Sequence, residues 1–78
     1  MSECYVRFTS AHDVMEFVSI ATKQYFPIQV EYGDLKTSAT SIMSIFSIGF
    51  HCPVRVVLPA AGEHAEAFFS QVQPYLVA

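Results

Sequence analysis

Ser41-Ile42-Met43-Ser44-Ile45-Phe46-Ser47-Ile48-Gly49-Phe50 contains no charged residue. Its serines and its late glycine predict a two-turn helix. Ser41 is the N-cap candidate, because its hydroxyl is placed to accept from the unpaired N–H groups of a first turn. Gly49 falls where a residue of positive φ ends the helix, a conformation glycine takes without steric cost. Ile42, Ile45 and Phe46 share one face at helical spacing and are expected to be buried. Met43 falls off that stripe and is expected to be partly exposed. A small uncharged helix with a spare methionine is either a poorly built helix or a docking surface.

Outward from this helix, the chain alternates strands and helices. Cys4-Tyr5-Val6-Arg7-Phe8 reads as a strand with Cys4, Val6 and Phe8 inward. Thr9 or Ser10 then caps a helix, and Ser10 with Asp13 resembles a capping box. Val14, Phe17, Val18, Ala21 and Tyr25 form its apolar stripe, with Pro27 as its stop. Ile28 to Tyr32 is a strand with Ile28, Val30 and Tyr32 inward. Gly33-Asp34 turns it back into Leu35 to Ala39. After the central helix, Pro53 opens Val54 to Leu58, with Val54, Val56 and Leu58 inward and Arg55 and Val57 outward. Pro59 to Gly62 is a loop. The last helix starts near Glu63, whose charge suits a helix N-terminus. Its stripe is Ala65, Phe68, Phe69, Val72 and Leu76, and Pro74 is expected to disturb its final turn.

The order β-α-β-β-α-β-α, with strands wet on one face, predicts an α+β open-faced sandwich in a single domain, residues 1–78. Three helices cover one face of a four-stranded antiparallel sheet. The open face is expected to carry Tyr5, Arg7, Gln29, Glu31, Arg55 and Val57, with Arg55 near Glu31. The order fits a ferredoxin-like module as well.

Composition narrows the function. Apolar residues make up 53% of the chain and charged ones 14%, against about 25% charged in an average domain. This is either a greasy small protein or one with an association surface. The net charge of -3 and four scattered cations, Arg7, Lys23, Lys36 and Arg55, argue against nucleic acid. No apolar run reaches membrane-spanning length, and Met1-Ser2-Glu3 is not a signal peptide, so the expected location is the cytoplasm. Cys4 and Cys52 read as isolated thiols. His51 and His64 stand apart, so no metal cluster and no cofactor site are expected.

Ser41-Ile42-Met43 followed by Phe46-Ser47-Ile48-Gly49-Phe50 resembles the regulatory-serine helix of HPr, the phosphocarrier of the bacterial sugar phosphotransferase system. Phe17-Val18 matches the family's first helix, Val54 to Leu58 its fourth strand, and Gly62-Glu63 the start of its last helix. The resemblance implies the open-faced sandwich and protein partners of the phosphotransferase or carbon-regulation type. It also implies a role for Ser41 as a kinase target and for Ile42, Met43 and Phe46 in partner binding.

The departure lies at the first helix. The family carries Gly-x-His-x-Arg-Pro-Ala there, with the histidine accepting phosphate from enzyme I. Counting back from Phe17-Val18, that histidine falls on Ser10, the arginine on His12 and the proline on Asp13. Asp13 sets a negative charge where a phosphoryl group would arrive. Moving His12 to the acceptor position needs a two-residue shift, which turns the helix face by roughly 200°. The expectation is therefore a docking or regulatory variant with no catalytic residue assigned. The first rival is a working phosphocarrier that uses His12. The second is a ferredoxin-like ligand-binding module or a weak homodimer joined through the open sheet face.

Overall fold

The computed structural model describes residues 2–50, 52–59 and 62–77. Its elements are β1 (Ser2–Val6), α1 (Ala11–Thr22), β2 (Gln29–Tyr32), β3 (Leu35–Ser38), α2 (Ile42–Ile48), β4 (Val54–Leu58) and α3 (Glu63–Gln71), followed by a 3-10 turn at Gln73–Tyr75. The strands form one antiparallel sheet in the order β1-β4-β2-β3. The expected α+β open-faced sandwich is therefore present. The ferredoxin-like alternative is not: β4, rather than β3, fills the gap between β1 and β2.

Alternation in the strands decides what is buried. Val6, Val30, Val54, Val56 and Leu58 point into a core shared with Val14, Phe17, Ala21, Ile45, Ala65, Phe68 and Val72 from the helices. Phe17 packs edge-on to Phe8 at 5.2 Å and to Phe68 at 6.1 Å between ring centroids. Such pairs add about 0.5–1.5 kcal/mol each beyond area burial. They tie the segment that follows β1 to α1 and α3.

Several expectations need correction. β1 begins at Ser2 rather than Cys4, and Phe8 is buried beyond its end. Tyr25 is 95% exposed, because α1 stops at Thr22 rather than near Pro27. The Gln24 side-chain amide donates to the Ile20 carbonyl at 2.9 Å, closing the last turn early. Tyr32 is exposed, paired with Leu35 beside a turn in which Gly33 takes φ 59. Val57 sits on the open face yet is buried, between Glu3 and Gln29 on the flanking strands. Leu76 leaves the α3 stripe, because the helix ends at Gln71 ahead of Pro74, and it faces Val6 across an antiparallel bridge instead. His51, Ala60 and Ala61 lie outside the described residues.

On the open face, Arg55 bridges two carboxylates. Its Nη1 meets Glu31 Oε1 at 3.3 Å and its Nε donates to Glu3 Oε2 at 2.7 Å. The Glu31 contact was expected. Glu3 joins it because β1 begins at Ser2 and so includes Glu3, which a strand from Cys4 leaves out.

Candidate functional site

The start of α1 is built from three polar residues, Thr9, Ser10 and Asp13. Ser10, extended at φ -157 and ψ 166, is the N-cap, and its hydroxyl accepts from the Asp13 N–H at 3.4 Å. The Asp13 carboxylate folds back. It accepts from the Thr9 N–H at 3.0 Å and from the Thr9 hydroxyl at 2.9 Å. This is a capping box displaced by one residue, since the usual partner of the returning carboxylate is the cap's own N–H. Those two bonds from Thr9 hold the Asp13 carboxyl below the usual carboxylate range.

His12 lies on the solvent side of the same turn, with its side chain 77% exposed and Nε2 3.4 Å from Glu16 Oε1. His12, Met15, Glu16 and Ser19 line a shallow hollow of about 220 Å³. Tyr75 comes to this tip from the far end of the chain. Burial pushes its phenol up, and the Glu16 and Asp13 carboxylates add to that. Sequence reading missed Tyr75, which lies some sixty positions away and so has no local signal. Taken together, the tip presents two carboxylates and one imidazole.

The second candidate region is α2. Ser41 is its N-cap by position, and its carbonyl accepts from the Ile45 N–H at 3.1 Å. Its hydroxyl makes no capping bond among the described residues, which corrects the expected role. The backbone at φ -90 and ψ 83 is not the extended conformation from which a cap side chain ordinarily reaches the first turn. Gly49 closes the helix at φ 94, a region open essentially to glycine at its ψ of -177. Ile45 is fully buried, Ile42 and Phe46 pack half-buried against the core, and Met43 is 75% exposed. Phe46 meets Phe50 edge-on at 6.3 Å. α1 and α2 pack against each other, so the two regions belong to one side of the molecule.

Other features lie elsewhere. A hollow of about 400 Å³ opens where β2, β3 and β4 end, walled by Pro27, Ile28, Leu58 and Pro59, and its described walls carry no titratable side chain. Cys4 and Cys52 are free and half-buried. Burial, helped by Glu3, pushes the Cys4 thiol up to about 11, which leaves it unreactive near neutrality. His64 is exposed on the first turn of α3. Among the described residues no group of three or more His, Cys, Asp or Glu side chains is arranged to hold a metal ion, and no helix is long and apolar enough to cross a membrane.

Against known proteins, residues 10–77 match a family model described as "PTS HPr component phosphorylation site". The fold is similar to the crystal structure of HPr-C-His from Thermoanaerobacter tengcongensis. The TM-score is 0.73 at 26% sequence identity, covering 94% of this chain and 92% of that one. No curated protein sequence matches it.

Proposed function

This chain belongs to the HPr family, and on that premise we propose that it is a docking or regulatory variant of the phosphocarrier whose first helix no longer accepts a phosphoryl group. The observation that carries this reading is the self-capped start of α1. Ser10 stands at the aligned histidine position with its hydroxyl on the Asp13 N–H, and Asp13 adds an ionised carboxylate held in the same turn by Thr9. A phosphohistidine carrier needs the reverse, an exposed imidazole with free donors for the incoming negative charge.

The docking surface of this reading is the α2 side of the molecule. Met43 is well exposed, and Ile42 and Phe46 lie half-buried near it in sequence and packed on the core. Methionine-bearing surfaces adapt to more than one partner shape. The partners are proteins of the phosphotransferase or carbon-regulation systems, in the cytoplasm. Ser41 modulates the contact: its hydroxyl is not used as a cap, and a phosphate there meets the favourable end of the helix dipole.

One observation favours a rival, the exposure of His12 beside the helix start. Incubation with enzyme I and labelled phosphoenolpyruvate separates the two. The expected result is no acid-labile label. Label lost in His12→Ala would establish a working carrier and overturn the proposal. Incubation with the family's serine kinase and ATP is expected to label the chain at one site, and label that persists in Ser41→Ala would remove the regulatory role.

A further inference from the structure

Beyond Gln71 the 3-10 turn redirects the chain along the outer edge of β1. There the Val77 N–H donates to the Tyr5 carbonyl and the Arg7 N–H donates to the Tyr75 carbonyl, both at 2.9 Å. Leu76 faces Val6 between them. In an antiparallel ladder the backbone groups of successive residues point alternately to opposite sides. Glu3, Tyr5 and Arg7 therefore turn theirs outward, while Cys4 and Val6 turn theirs toward β4. The strap meets the outward groups of Tyr5 and Arg7 with two hydrogen bonds, and Leu76 remains 36% exposed. An uncovered strand edge of this kind is a template for another chain.

The outward row of β1 is its own complement. Two copies of β1 laid antiparallel about a two-fold axis at Tyr5 bring Glu3 of each against Arg7 of the other, twice, on the open face. Cys4 then faces Val6 on the inner face, so apolar meets apolar as well. Arg7 is exposed and makes no ion pair among the described residues, and both Glu3 contacts to Arg55 use Oε2. The pairing supplies about six main-chain hydrogen bonds, two for each of the three facing pairs formed by the outward-turned Glu3, Tyr5 and Arg7, against two for each strap. We propose that Tyr75–Val77 is a removable edge cover, and that what it holds off is a second copy of this chain joined through β1. This is an edge contact, distinct from sheet-face association, and it is independent of whether the first helix carries phosphate.

Val77→Pro deletes the N–H given to Tyr5 without touching β1. Light scattering on this variant is expected to show a concentration-dependent rise toward twice the monomer mass. Adding Arg7→Glu sets like charges opposite each other and is expected to return the monomer; adding Glu3→Arg to that pair is expected to restore the dimer. Tyr5→Cys places two thiols at a facing pair with Cα atoms about 5.5 Å apart, within disulfide range, and is expected to crosslink to itself. A folded Val77→Pro that stays monomeric overturns the proposal. So does a dimer that Arg7→Glu leaves intact and Tyr5→Cys fails to crosslink. Should Val77→Pro not fold, Tyr5→Cys in the otherwise unaltered chain decides: slow self-crosslinking through strap opening supports the edge cover, and none refutes it.

Discussion

Two helices of this protein begin with a serine, and the serines behave differently. Ser10 caps α1 through its side chain and is reinforced by Asp13 reaching back to Thr9. Ser41 starts α2 with its backbone alone. α1 is therefore held at its tip by local polar bonds as well as by the core. α2 is held by the burial of Ile45 beneath it and by the glycine that ends it. The difference separates two uses of one residue type: a hydroxyl spent on capping its own helix, and a hydroxyl left over.

The largest test of that contrast is Ile45→Ala. If burial anchors α2, removing a fully enclosed side chain is expected to cost about 2–5 kcal/mol in chemical denaturation. A loss below 1 kcal/mol, as a local cap alone costs, would mean that α2 is not core-anchored. Ser10→Ala is expected to cost less, about 0.5–1 kcal/mol, since its bond is long at 3.4 Å.

Asp13 sharpens the comparison through pH. Its folded-state pKa lies below the ordinary carboxylate value. Its contribution is therefore present above the unfolded value of about 3.9 and is lost as pH falls through the lower folded one. Urea midpoints of the unaltered chain and Asp13→Asn are expected to differ at neutral pH and to converge in strong acid. A gap that persists unchanged would place the effect outside the Thr9 bonds. The smallest effect belongs to Ser41→Ala, expected to shift stability by no more than about 0.3 kcal/mol because no side-chain bond is lost. A loss as large as that of Ser10→Ala would show that both serines cap alike.

Much of this was legible in the chain itself. Helical and alternating periodicity located six of the seven main elements, because each of those places apolar side chains in a shared core, and the Gly33-Asp34 turn located β3, none of whose residues is buried. Ser10 with Asp13 announced a capping box, Gly33-Asp34 marked a tight turn, and Gly49 marked a position of positive φ. What stayed hidden was the end of α1, since the early stop depends on the Gln24 side chain reaching a backbone carbonyl rather than on Pro27. The burial of Val57 was hidden for a similar reason: its cover comes from neighbouring strands.

The sequence by itself determined the element order and most of the apolar faces, because these depend only on residue type and spacing along one segment. Tertiary structure alone decided that β4 lies between β1 and β2, that Arg55 reaches Glu3 as well as Glu31, and that Tyr75 and Leu76 leave the last helix to close the edge of β1. Those are pairings between residues far apart in the chain, and a hydrogen bond or charge has no local pattern that names its distant partner.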